Sequence, residues 1–219
     1  MALLAIFRFL AGDNRHTQPP GLLPDQAERW GQRKGKLMAR FELGLWNAWL
    51  LSLPFLLLMT FMVGLKKDLI KRMSDMTGYT AREKFFTVSA SISPYLFIVA
   101  TIWVPLISLP SLLLCGLLTY FLGLALCAAS LQVIIKTPPG ELFTAGPYRF
   151  SRNPMYVSAT IVFMGICLAT GNLILSCYLA LAVWLQHFMI LAEERICEEK
   201  FGWVFEDYLI KVPRYLFIV

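Results

Sequence analysis

The sequence predicts an all-α membrane protein, a polytopic bundle of about five transmembrane helices closed by a C-terminal amphipathic helix. Three observations predict it. The 219 residues are 58% hydrophobic, with a mean hydropathy of +0.62, too apolar for an ordinary soluble domain of this length. None of the charged residues falls within 43–65, 86–107, 111–135, 155–171 or 173–191. Charge-free apolar runs of roughly 17–25 residues are long enough to cross a bilayer as helices. The charges gather instead in the stretches between these runs, where a membrane protein meets water.

In chain order, residues 1–42 read as a polar, basic arm, with Gln18-Pro19-Pro20-Gly21 and the run Arg33-Lys34-Gly35-Lys36. No small-residue cleavage site follows the apolar first ten residues, so a removable signal peptide is not expected. Residues 43–135 hold three spans. Pro54 is expected to kink the first. Residues 66–85 form a basic loop. The second span contains Pro94 and Pro105, and a turn at Ser108-Leu109-Pro110-Ser111 makes it an antiparallel hairpin with the third. Lys136-Thr137-Pro138-Pro139-Gly140 then breaks the helix. The fourth span runs to Thr170, Gly171-Asn172 turns the chain, and the fifth returns to Ala192. Beyond it Cys197, Phe201, Val204, Phe205 and Tyr208 recur at helical spacing, the apolar stripe of the amphipathic tail.

The net charge of +6 fits juxtamembrane clusters and calls for no nucleic-acid partner. Thirteen basic residues on the side of the 66–85 loop, the 136–154 loop and the tail, against seven in residues 1–42, place that side in the cytosol by the positive-inside rule. Of the five cysteines, four lie in spans. They have neither Cys-x-x-Cys spacing nor a histidine partner, so they read as small buried hydrophobes and no metal site is expected.

One stretch carries most of the chemistry: Gly146-Pro147-Tyr148-Arg149-Phe150-Ser151-Arg152-Asn153-Pro154-Met155-Tyr156. Asn153 can cap a helix with its side-chain oxygen, and Pro154 suits the first helical position. Arg149 and Arg152 beside that N-terminus either snorkel to the interface or hold an anion. The short turn after the fourth span brings this start beside the end of the fifth. Arg149, Arg152 and Asn153 are therefore expected near Glu193 and Glu194, a place for a zwitterion. The alternative for the acidic pair is a solvated helix continuation.

These motifs, together with Phe201-Gly202, Tyr208 and Val212-Pro213-Arg214, resemble the membrane methyltransferases that include isoprenylcysteine carboxyl methyltransferases and phospholipid N-methyltransferases. The resemblance covers roughly residues 130–215 and makes 136–219 the methyltransferase core. It implies a helical membrane fold that binds S-adenosyl-L-methionine at the cytosolic face and methylates a lipid or lipidated, hydrophobic acceptor. Carried over by position, the cofactor residues are Gln132, Leu142, Phe143, Tyr148, Arg152, Asn153, Pro154, Met155, Tyr156 and Glu193. Tyr148 and Tyr156 can face the sulfonium through cation–π contact or anchor the interface. Glu194 and Arg149, with His187, are the candidate catalytic residues. His187, seven residues before Glu194, can take a proton from an amine acceptor or can simply bond within the bundle. Two positions depart from the superfamily. Asn153 stands where histidine is frequent, which excludes an obligatory histidine base there. Met189 stands where isoprenylcysteine enzymes carry the arginine that holds the substrate carboxylate, which speaks against that acceptor. The rival classes are an NADPH-dependent sterol-type reductase and a non-catalytic membrane protein.

Overall fold

A computed structural model of the chain describes residues 23, 47–64, 76–106, 109–138 and 140–216. The basic arm and most of the 66–85 loop lie outside the described residues. Among the described residues six α-helices follow in order: α1 Trp49–Gly64, α2 Ala81–Ala100, α3 Pro110–Lys136, α4 Pro154–Thr170, α5 Leu173–Phe201 and α6 Trp203–Lys211. One-turn 3₁₀ segments sit at Thr101–Trp103 and Gly146–Arg149. No strand occurs among the described residues, only a single bridge between Asn47 and Pro105.

Three stretches, Ala81–Trp103, Pro110–Lys136 and Leu173–Phe201, are long and apolar enough to span a bilayer, whereas α1 and α4 are shorter apolar helices. The 17 residues of α4 make a rod of about 25 Å, short of a typical hydrocarbon core. The outward faces are those of a membrane bundle. Leu57, Phe61, Leu118, Phe121, Leu122, Leu181 and Trp184 are all exposed, while Ser52, Ser93, Thr101, Ser130 and Ser158 are buried. In water the reverse order would be expected.

The third helix packs along the fourth and the second along the fifth. The expected hairpin of the second and third spans does not form a packed pair, and the reason lies in small residues. A Cβ on Gly116 would come 2.5 Å from the backbone nitrogen of Ala169, one on Gly123 2.6 Å from that of Val162, and one on Gly165 2.6 Å from that of Tyr120. Only hydrogen fits there. Without a hydrophobic drive between helices in lipid, such close backbone approach supplies much of the packing energy. It locks α3 to α4 in preference to the neighbour α2.

The α2–α5 pair is held by side chains. Phe86 stacks on Phe188 with ring centroids 4.5 Å apart, and the Ser93 hydroxyl donates to the Tyr178 hydroxyl at 3.2 Å. α2 begins at Ala81, earlier than the apolar run. A capping box forms there, with the Glu83 N–H on Thr80 Oγ1 at 3.3 Å and the Thr80 N–H on Glu83 Oε2 at 2.8 Å. Pro105, expected inside the second span, lies beyond it, next to Val104, whose carbonyl accepts from the Ala48 N–H at 2.9 Å. The turn between α4 and α5 is tight because Gly171 takes φ +59°, left-handed backbone that glycine adopts freely. Asn172 then caps α5 by accepting from the Leu175 N–H at 3.0 Å.

Candidate donor-binding site

α5 does not stop at Ala192. It runs to Phe201 and ends at Gly202, so Glu193 and Glu194 are interior helical residues, spared the unfavourable C-terminal dipole. Successive residues on a helix point about 100° apart, and the two carboxylates face different surroundings.

Glu194 faces the start of α4 and the returning tail. Its Oε1 accepts from Arg152 Nε at 3.1 Å and Asn153 Nδ2 at 3.0 Å, and its Oε2 from Arg214 Nε at 2.9 Å. The Arg152 and Glu194 side chains are only 6% and 11% exposed. Arg152 Nη1 also donates to the carbonyls of Leu209 and Val212, at 3.0 and 2.6 Å, and its backbone N–H to Pro213 at 2.9 Å. Ser151 Oγ donates to the Arg214 carbonyl at 3.0 Å and accepts the Asn153 N–H at 3.1 Å. Three segments distant in the chain are thereby tied into one charge-assisted network.

This geometry revises several expectations. Asn153 occupies the N-cap position of α4, but no side-chain cap bond is made there. Its amide is turned to Glu194, where two guanidiniums make the carboxylate the stronger partner. Arg149 does not join the cluster. It is exposed on the one-turn helix Gly146–Arg149, where Arg152, three residues on, takes the ionic position instead. An open cavity of about 320 Å³ adjoins Arg152, Arg195 and Arg214. Their charge is already matched by Glu194, Glu83 and Glu199, so the arginines do not form a free anion site.

Glu193 faces the other way, toward tyrosines. The Tyr156 hydroxyl donates to Glu193 Oε1 at 2.6 Å, and no hydrogen bond to Oε2 is found among the described residues. Tyr148 is buried. Burial pushes its phenol up, and the charges of Tyr208 and Glu193 add to the shift. Tyr208 holds it in place by donating to the Tyr148 carbonyl at 2.6 Å. Phe143 packs 5.6 Å from the Tyr148 ring. Leu142 packs instead with Phe205, Tyr208 and Val212, which shows what the apolar face of the tail covers. Val204, expected on that face, is exposed, because Gly202 breaks the helix and resets the phase. Pro154 is fully buried, and Met155 packs against the main core.

Two further residues fall elsewhere. Gln132 lies on the exposed face of α3, whereas its neighbours Leu131 and Ile134 are buried. His187 shares the Glu194 face of α5, not that of Glu193, and its Nδ1 is 2.9 Å from the Tyr215 hydroxyl. Sequence reasoning did not single out Ser151 for this region and gave Arg214 no role in it. For Arg214 the spacing carried no signal, since only the folded tail brings it to Glu194.

One segment of the chain matches a known family. Residues 133–204 match the phospholipid methyltransferase family. The match covers about a third of the chain. The matched segment runs from the end of α3 to the start of α6 and contains Tyr148, Arg152, Asn153, Tyr156, Glu193 and Glu194. It agrees with the resemblance read from the motifs. No curated protein and no solved structure matches the chain.

Proposed function

We propose that the protein is an S-adenosylmethionine-dependent membrane methyltransferase acting on a lipid or other hydrophobic acceptor at the cytosolic face. The observation that carries this reading is the partly satisfied Glu193 carboxylate among tyrosines, inside the segment that matches the phospholipid methyltransferase family.

The residues fit the donor. A carboxylate with one unoccupied oxygen can accept from ribose hydroxyls or an ammonium. Aromatic faces favour a sulfonium. Tyr148, Tyr156 and Glu193 would hold the donor, with Phe143, Pro154 and Met155 packing the wall behind them. When bound, S-adenosylmethionine supplies a methyl group already activated on sulfur, so the chain needs only to bind, align and exclude water. Arg152, Asn153 and Glu194 act as the frame that sets the α4 start against α5. His187, paired with Tyr215, keeps a proton-accepting role only for an acceptor that enters along its own face of α5.

A lipid acceptor is supported by the phospholipid methyltransferase match and by the long apolar helices that carry these residues. The test is binding to purified protein in nanodiscs, with S-adenosylmethionine and NADPH side by side, followed by transfer of labelled methyl to a lipid extract. Saturable binding of the first alone, with label in an extractable lipid, is the expected result. Binding of NADPH alone supports a reductase, and binding of neither supports a non-catalytic protein.

A further inference from the structure

α2 carries a proline where a helix needs a donor. Pro94 lies in its interior and has no N–H, so the Ala90 carbonyl lacks the partner that the fourth residue on normally supplies. In a bilayer no solvent makes up the loss, and a neighbouring helix, a hydroxyl or a trapped water has to. Ala90, Ser93 and Pro94 line one side of a cavity whose other walls include Thr160 and Phe163 of α4 and Gln186 of α5. Ala90 is buried, so bulk water is out of reach of its carbonyl.

Gln186 is the unexpected member of this lining. It stands inside the charge-free run 173–191, about 10 Å along α5 from Glu193 on the bilayer side. Its carboxamide offers two donors and an acceptor, yet none is used among the described residues. An unpaired amide in apolar surroundings is costly. The Ser93 hydroxyl donates to Tyr178 at 3.2 Å and that of Thr160 to the Tyr156 carbonyl at 3.0 Å, which leaves both oxygens able to accept. The Thr87 hydroxyl, about one turn before Ala90, is buried and has no partner among the described residues either. The cavity leaves about 20 Å³ for the centre of a water molecule. One water needs roughly 10–15 Å³ together with two to four polar partners. Room and partners are both present, and the space is too small for a lipid chain.

We propose that this cavity is a hydration site: one ordered water accepts from the Gln186 amide and donates to the Ala90 carbonyl, replacing the bond that Pro94 cannot make and joining α2 to α5. The oxygens of Ser93 and Thr160 are there to accept its second proton. The site is distinct from the Glu193 region and stands whether or not the donor is S-adenosylmethionine. One link joins the two: Thr160 bonds the carbonyl of Tyr156, whose phenol meets Glu193.

The test uses the full-length protein in nanodiscs. Radiolytic hydroxyl-radical footprinting oxidises buried side chains that lie against a bound water and spares dry ones. Phe97 and Phe163, both buried and both lining the cavity, are expected to be labelled, whereas Tyr120, buried but not a lining residue, is not. Gln186→Leu abolishes the labelling. If Phe97 and Phe163 are as silent as Tyr120 in the wild type, the cavity is dry and the proposal is overturned. Label that persists in Gln186→Leu places the water on other groups and overturns it too. Thermal unfolding gives a second readout, in which the two readings differ in sign. Gln186→Leu strands the Ala90 carbonyl, and the midpoint falls by roughly 2–4 °C. In a dry cavity the same change removes an unpaired amide from apolar surroundings, so a midpoint that holds or rises sinks the hydration site. Pro94→Ala supplies the missing N–H. In that background Gln186→Leu costs clearly less, because the carbonyl no longer depends on the water. An equal loss in both backgrounds removes the Ala90 bond, and the proposal with it.

Discussion

Glu193 and Glu194 are the same residue type at adjacent positions of one helix, and they do opposite things. Glu194 is ringed by donors: two guanidiniums and an amide, from two other parts of the chain. Among the described residues Glu193 accepts only the Tyr156 phenol. A carboxylate whose lone pairs are all taken can hold a structure together but has little left for a ligand. One with an oxygen to spare among aromatic rings is the one that, on the reading proposed above, is left to take a ligand. The lesson is that an acidic pair in sequence is two sites in space, and hydrogen-bond saturation tells which is frame and which is pocket.

The contrast is broken most directly at Glu194. Glu194→Ala leaves Arg152 buried without its counter-ion, and losing one partner of a buried pair costs about 3–5 kcal/mol. A large drop in the thermal unfolding midpoint of the nanodisc-embedded protein is expected, even without ligand. A midpoint near wild type would mean that the network is solvated and the frame lies elsewhere. Glu193→Ala should do the reverse. The unfolding midpoint stays close to wild type, while S-adenosylmethionine affinity falls roughly ten- to a hundredfold, the range for losing a hydrogen bond to a charged group. Should both variants change stability and affinity in the same proportion, the two-site distinction fails.

Asn153→Ala sharpens the frame side at smaller amplitude. Its amide bonds Glu194 at 3.0 Å and, at 3.4 Å, the Arg214 carbonyl, and a bond of this kind contributes about 0.5–1.5 kcal/mol. A side-chain cap on α4 would give a similar total loss. The two are separated by a double-mutant cycle with Glu194→Ala. Strong coupling is expected, and additivity would return Asn153 to the capping role.

Much of this was legible in the sequence, and the failures have physical causes. Charge-free runs mark helices because lipid tolerates neither unpaired backbone nor charge, so α3, α4 and the body of α5 were readable nearly to the residue. The start of α2 was missed by several residues because charges at Arg82, Glu83 and Lys84 masked it, although Thr80-x-x-Glu83 is a capping-box signature in plain view. The meeting of the α4 start with the acidic pair followed from the short Gly171-Asn172 turn. What the spacing did not carry was the choice of partner. That Arg152 and not Arg149 meets Glu194 depends on a one-turn 3₁₀ helix at Gly146–Arg149. That Arg214 returns depends on the break at Gly202. The pairing of α3 with α4 was written in Gly116, Gly123 and Gly165, but small residues name a partner only when both faces are known.

The smallest effect is expected one turn after Glu194. Glu198 lies on the same helical stripe, borders the open cavity beside Arg152 and Arg214 and is exposed. If proximity to those arginines were enough, Glu198→Ala would behave as a weaker Glu194→Ala. Exposed charges, however, interact through water, and truncating one typically moves stability by less than about 0.5 kcal/mol. We therefore expect an unfolding midpoint within a degree or two of wild type and unchanged S-adenosylmethionine affinity. A clear loss of stability in Glu198→Ala would show that the guanidinium cluster is shared between two carboxylates. The saturation of Glu194 would then be a weaker criterion for telling frame from pocket than its three close donors imply.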